Sequence, residues 1–207
     1  MQKKIIGTLI FLFFCIFVNA QGEKKRMGYS GFSGGMMLHL GYVQSGNFTF
    51  TSSSGFSETM QLSGLAFGIG GQLRVCFGEH LRIGGEGYVS EHKYKNSSYT
   101  SIGWGGFLAD CVWKIGKFSP FIGGTVGGGS QKNVTNFSAQ KNEYNLDNIV
   151  SFRKYGFVCI VPFIGLEYAL STKIHLIFKI DYIFNVSNPQ KDFTTGPRFY
   201  FGFSFCR

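Results

Sequence analysis

Three stretches of the chain alternate large apolar side chains with small or polar ones at every second position. Over 64–77, Leu65, Phe67, Ile69, Gly71, Leu73, Val75 and Phe77 share one face. Gly64, Ala66, Gly68, Gly70, Gln72 and Arg74 share the other. Over 174–184, Ile174, Leu176, Phe178, Ile180, Tyr182 and Phe184 alternate with His175, Ile177, Lys179, Asp181 and Ile183. At the C-terminus, Phe199, Phe201, Phe203 and Phe205 alternate with Arg198, Tyr200, Gly202, Ser204 and Cys206. A period of two is the period of a β-strand.

A soluble β-sandwich would show the same period, so the identities on each face decide. The wet face of a soluble sheet carries Thr, Lys, Glu and Ser. Here the less apolar face carries Gly, Ala and isolated charges. That suits the crowded inside of a narrow barrel, where small residues leave room for a few large polar ones. The opposite face is large and apolar almost throughout, which suits lipid.

The same template predicts eight strands, at about 35–43, 62–77, 81–90, 99–114, 119–130, 154–169, 173–185 and 197–206. Each reaches the ~9–11 residues that a tilted strand needs to cross a bilayer. The connections 78–80, 115–118 and 170–172 are short, whereas 44–61, 91–98, 131–153 and 186–196 are longer and rich in Ser, Asn, Thr and Lys. Short and long connections alternate, as periplasmic turns and extracellular loops do in outer-membrane barrels. Backbone groups in lipid must be paired internally, so the sheet has to close on itself. The expected fold is all-β, an eight-stranded antiparallel up-and-down transmembrane β-barrel spanning 34–207, with both termini periplasmic.

The N-terminus reads separately. Lys3 and Lys4 precede an apolar run from Ile5 to Val18, and Ala20 supplies the small residue of a cleavage site. That run is shorter than the ~20 residues of a spanning helix. Residues 1–20 therefore read as a cleaved export signal. Residues 21–33, polar and Gly-rich, read as a flexible periplasmic lead-in. Cleavage removes two lysines and lowers the formal charge from +9 to +7.

Composition supports this picture. Charged residues make up 15% and aromatics 17%, with 24 Phe and 30 Gly, against about 25% charged in soluble domains. The basic residues are scattered, so no nucleic-acid partner is expected, and lipid headgroups are the natural counterpart of the charge. Four cysteines remain after the signal: Cys76, Cys111, Cys159 and Cys206. They show no metal-ligand spacing and fall on no two neighbouring strands, so free thiols are expected.

Inward parity gathers Arg74, Arg82, Glu86, Asp110, Lys114, Glu167, His175, Lys179, Asp181 and Arg198. Buried charge is costly unless paired, so these groups predict an interior ion-pair network that fills the barrel. Glu86 facing Arg74 or Arg82 is the pair the hairpin suggests. Trp113 and Tyr168 at one end, and Tyr42, Tyr99 and Tyr182 at the other, predict aromatic girdles. His92 beside Glu91, with Ser97 nearby, sits in a predicted loop and lacks the context of a nucleophile. The Gly123–Gly129 run has no Lys-Ser/Thr ending to cradle phosphate. No catalytic, metal or cofactor site is expected.

The segments Leu81-Arg82-Ile83-Gly84-Gly85-Glu86-Gly87-Tyr88 and Lys117-Phe118-Ser119-Pro120-Phe121-Ile122-Gly123-Gly124, with the Phe-alternating end, resemble the small outer-membrane β-barrel proteins. The similarity is greatest to the opacity-like and OmpA/OmpX-like eight-stranded group common in Bacteroidetes. The resemblance implies outer-membrane lipid as surroundings. It also implies that barrel-assembly machinery reads a C-terminal signal, here Phe199, Phe201, Phe203 and Phe205. In that group the last residue is usually the aromatic one, whereas Cys206 and Arg207 follow Phe205 here. The expected role is a structural or surface-interaction protein of the envelope, with a ligand taken through 44–61, 131–153 or 186–196. A narrow ion or solute channel and a lipid-modifying enzyme are the alternatives.

Overall fold

The computed structural model describes residues 28–51, 57–94, 98–138, 148–187 and 190–207. The predicted signal at 1–20, and positions 21–27 of the predicted lead-in, lie outside the described residues. The described residues form strands and turns with no helix. In chain order the strands are β1 (Tyr29–Gln44), β2 (Phe48–Thr51), β3 (Ser57–Met60), β4 (Ser63–Phe77), β5 (Leu81–Tyr94) and β6 (Ser98–Val112). They continue as β7 (Phe118–Ser138), β8 (Asn148–Ala169), β9 (Ile174–Tyr182), β10 (Phe184–Asn185) and β11 (Pro197–Cys206).

Eight of these close a ring in the order β1, β4, β5, β6, β7, β8, β9, β11, with every pair antiparallel. The first and last strands make the seam, from Ser33 opposite Cys206 to Gly41 opposite Arg198. Phe32 and Arg207 exchange both backbone hydrogen bonds, at 2.8 and 2.9 Å, and carry the seam past the last strand residue. No ladder edge is left between β1 and β11, which is what an apolar surround requires.

The faces are those that parity predicts. On β4, Leu65, Phe67, Ile69 and Leu73 point outward and stay exposed, while Ala66, Gln72 and Arg74 are buried inside. On β11, Phe199, Phe201, Phe203 and Phe205 point outward, and Arg198, Tyr200 and Ser204 inward. Outward Phe67 is 66% exposed and Phe107 62%. An apolar belt of this size on a closed barrel is a lipid-facing surface.

One end of the barrel, the turn end, carries tight turns. Gly78 and Gly116 adopt positive φ there, at 62° and 61°, with nothing near the position of a Cβ. At this end β1 starts at Tyr29, so residues 29–33 of the predicted lead-in at 21–33 belong to the barrel. Gly31 and Ser33 continue the inward alternation while Phe32 faces out.

At the opposite end, the loop end, three predicted loops are corrected. The predicted loop 91–98 is mostly ladder, with Tyr94 opposite Ser98. The predicted loop 131–153 is also mostly ladder, with β7 paired to β8 as far as Ser138 opposite Asn148. Polar residues there read as loop because the apolar alternation stops. The inward positions of the β7–β8 ladder, Gln131, Asn133 and Thr135, are polar but buried, so parity continues in burial and not in hydropathy. The predicted loop 44–61 contains the small β2–β3 hairpin.

The ladder between β8 and β9 ends at Phe163 opposite Asp181, and resumes at Ile160 opposite Phe184 in β10. Pro162 lies in the gap. Proline has no N–H to give to a ladder, so the interruption at Ile183 has a local cause.

Candidate functional site

The charged and polar side chains collect in the barrel interior. Space for them comes from inward glycines. A Cβ on Gly41 would lie 2.9 Å from Arg198 Cγ. One on Gly68 would overlap the His39 ring, and one on Gly70 the Tyr88 ring. Each glycine is thus opened toward a large neighbour, as the sequence pattern suggests.

The charges fall into tiers. Near the turn end, Arg74 on β4 donates to Asp110 Oδ2 at 2.9 Å and to Glu167 Oε1 at 2.6 Å. Arg82 on β5 donates to the other oxygen of Asp110 at 2.6 Å and to Glu167 Oε1 at 2.7 Å. Two arginines and two acids from four strands close a neutral quartet. Both guanidiniums also lie over the Phe121 ring, at 5.4 and 5.0 Å. His175 Nδ1 approaches Glu167 Oε2 and Cys206 Sγ, each at 3.5 Å.

Half-way up, Lys179 donates to Glu86 Oε2 at 2.7 Å and lies 3.9 Å from Asp181 Oδ2. Thr125 donates to the second oxygen of Glu86 at 2.5 Å. The ammonium sits among the rings of Tyr88, Phe163 and Tyr200, 4.7, 5.0 and 4.4 Å from their centroids. Arg198, also predicted inward, is buried closer to the loop end.

This corrects the expected pairing. Glu86 pairs with neither Arg74 nor Arg82. On the ladder Glu86 lies opposite Gln72, and Arg74 opposite Gly84. Arg82 is four residues along the same strand, roughly 13 Å away at ~3.4 Å per residue. The partner comes instead from across the lumen. Lys114 is also corrected: β6 ends at Val112, and Lys114 is exposed beyond it.

At the loop end the segment between β10 and β11 folds into the mouth of the barrel, where Asp192, Phe193 and Thr194 are buried. Asn133 donates to Asp192 Oδ2 at 2.7 Å, and Gln131 donates to the Asp192 carbonyl at 2.8 Å. Arg153 lies 3.4 Å from the same carboxylate, and Phe193 packs edge-on against Phe157. The predicted binding loop 186–196 therefore presents its middle to the lumen. Nothing in its composition signals this inward turn.

His92 belongs to β5, not to a loop, and its Nδ1 pairs with the Leu65 carbonyl at 3.0 Å. Glu91 points outward beside Lys93, 3.8 Å away. Ser97 lies outside the described residues. His39 is buried on β1, and His80 Nδ1 pairs with the Val112 carbonyl at the turn end. Among the described residues no three His, Cys, Asp or Glu are grouped to hold a metal. Cys76, Cys111, Cys159 and Cys206 are free thiols.

The sequence pattern missed an aromatic layer. Tyr88, Trp104, Phe121, Phe157, Phe163 and Tyr200 are inward and buried, and they join Leu108, Val161 and Ile177 in one core. Strict parity along β6 and β8 would have found Trp104 and Phe157. The lumen is thus filled: Arg74, Arg198, Leu108, Thr125, Val161 and Ile177 are each 0% exposed. Water standing in the barrel would wet these side chains.

No family model matches the chain, and no curated protein matches it. Solved structures do. Neisserial surface protein A (NspA) aligns with a TM-score of 0.58 at 13% identity, over 86% of this chain and 98% of that one. The outer membrane protein OprG from Pseudomonas aeruginosa aligns with a TM-score of 0.51 at 10% identity, over 87% and 98%. The chain has the fold of the small outer-membrane β-barrels. At these identities the likeness concerns the fold alone.

Proposed function

We propose that the chain is an integral outer-membrane protein whose filled barrel is a scaffold and whose loop end is a surface for interaction. The observation that carries this reading is the length of β7 and β8, 21 and 22 residues. A crossing needs about half of that, so the paired ribbon continues well past the apolar belt. The polar inward positions Gln131, Asn133 and Thr135 lie in this continuation. The short turns and both termini then face the periplasm, and the ribbon and the β2–β3 hairpin face outward. The name of NspA, a surface protein, agrees with such a role.

Outer-membrane lipid surrounds the belt. The outward ladder of Phe199, Phe201, Phe203 and Phe205 is the feature assembly machinery would read. A ligand is taken through the ribbon and the β2–β3 hairpin, since Asp192–Thr194 are committed to the lumen. The buried quartet and the aromatic layer speak against a channel. The separation of His92, Glu91 and the lumenal acids speaks against a lipid-modifying enzyme.

The test is an epitope inserted between 141 and 145 in a full-length, exported chain. Detection on intact cells, with the protein in the outer-membrane fraction, is the expected result. A tag seen only after the outer membrane is permeabilised overturns the orientation. Recovery of the protein in the soluble periplasm overturns the whole reading.

A further inference from the structure

The outward face of the barrel is uneven. On β9 and β11 every outward position, from Ile174 to Tyr182 and from Pro197 to Phe205, carries a side chain. On β5 to β8 the outward positions at mid-height are nearly bare. The ladders place Gly87, Gly105 and Gly128 in one row, and Gly103, Ser130 and Gly156 in the row next to it toward the loop end. Together they form a shallow groove of about 580 Å³, bordered by Ile69 and Val89. The exposed side chains of Phe107 and Val126 close it toward the turn end.

Packing within the barrel does not ask for these glycines. The inward ones make room for Arg198, His39 and Tyr88. A Cβ on outward Gly87, Gly103 or Gly156 would instead find its nearest neighbour at 3.5, 3.9 or 3.7 Å, an ordinary contact. None of the three has a positive φ. Bare backbone on a wall is where something outside can approach closely. The charges lie on the same side. Along the eight ring strands the outward charged residues are Glu91, Lys93, Lys132 and Lys154, all on β5, β7 and β8. Glu91 is matched by Lys93. Lys132 and Lys154 are direct ladder partners, in the row bordering the groove toward the loop end. Like charges so placed repel, and no carboxylate among the described residues meets either. Lys132 lies over the rings of Tyr99 and Phe152, at 5.6 and 5.2 Å, and Lys154 is exposed.

We propose that this groove is a docking site for one phosphorylated glycolipid of the outer leaflet, of the lipid A class. A straight acyl chain lies against the backbone of Gly103, Gly105 and Gly128, and a phosphate sits between the ammonium groups of Lys132 and Lys154. The anion relieves the repulsion of the two lysines, which their own chain leaves unanswered. The same charges disfavour a second copy of the chain as occupant. A two-fold pair meeting at this groove would set four lysines against one another. The inference rests on the proposed orientation, which puts the lysine row at the outer leaflet.

The experiment uses the full-length mature protein folded in zwitterionic detergent, with unboiled gel mobility confirming the barrel. Lipid A, the same lipid A stripped of its phosphates, and phosphatidylglycerol are titrated in, and bound lipid is counted by native mass spectrometry. The expected result is saturable binding of one lipid A, preferred over the other two. Lys132→Gln/Lys154→Gln weakens it roughly 30-fold, the effect of two lysines near an anionic headgroup, and leaves the stripped lipid unaffected. Gly103→Leu fills the groove and weakens both forms of lipid A, whereas Leu40→Ala on the far wall weakens neither. No saturable lipid A complex, or undiminished binding in the lysine double variant or in Gly103→Leu, overturns the proposal. A protein dimer that Gly103→Leu disrupts, found in place of bound lipid, also overturns it, as does a preference for phosphatidylglycerol. If Gly103→Leu does not fold, the lysine double variant decides. An epitope at 141–145 detected on intact cells, with no lipid A bound, removes this inference and leaves the scaffold reading standing. An epitope detected only after permeabilisation removes the orientation, whatever lipid is bound.

Discussion

Lys179 on β9 and Glu86 on β5 meet at 2.7 Å although their strands stand four places apart in either direction round the eight-membered ring. The pair spans the diameter of the barrel. It ties opposite walls together at mid-height, where Tyr88, Phe163 and Tyr200 exclude water. Both side chains are 0% exposed.

Removing one partner leaves the other charged and buried. Lys179→Met is expected to cost about 3–5 kcal/mol of stability, read from urea unfolding in lipid vesicles. The double variant Lys179→Met/Glu86→Leu replaces a charge pair by apolar groups and is expected to recover much of that loss. A double variant as unstable as the sum of the singles would argue that the two residues do not act as a pair.

The inward glycines give a second expectation. A Cβ on Gly70 would overlap the Gly87 carbonyl and the Tyr88 ring. Outward Gly124 has its nearest neighbour at 3.7 Å. Gly70→Ala should therefore cost about 1–3 kcal/mol through overpacking, and Gly124→Ala close to nothing. The same unfolding assay compares them, and equal effects would contradict the assignment of faces.

The two faces were legible in the sequence because the barrel wall separates lipid from lumen, and alternation records that separation residue by residue. Leu65, Phe67, Phe178 and the C-terminal Phe ladder needed nothing else. Phe178 faces lipid and packs against Phe201, with ring centroids 5.0 Å apart, across the β9–β11 ladder.

The rest was not legible, for physical reasons. Which charges pair depends on the stagger of the strands round the ring. Stagger is a property of the closed barrel and leaves no mark on any single strand. Hence Glu86 reads as a partner for Arg74 or Arg82 along the hairpin, while its partner Lys179 is 93 residues away. The inward strap depends on Asn133 and Gln131 meeting Asp192, and all three are ordinary loop residues by composition. The ribbon of β7 and β8 loses its apolar alternation because its buried inward positions Gln131, Asn133 and Thr135 are polar, so its ladder reads as loop.

The strap gives a third expectation. Asn133→Leu removes the hydrogen bond to Asp192 and leaves that carboxylate short of a donor, at a cost of about 1–3 kcal/mol. The strap should then open more often. Lys191 is exposed beside Asp192, and trypsin cleavage after it should be faster in Asn133→Leu than in the wild type. Unchanged cleavage would mean that the strap is held by Phe193 against Phe157 rather than by its polar contacts.

Conductance in planar lipid bilayers tests the filled barrel most directly. The wild-type protein, inserted and confirmed as folded by unboiled gel mobility, should give no steady single-channel current in molar potassium chloride. Steady, reproducible current steps from the wild type, altered by Glu86→Ala, would contradict the account and make the lumen a path.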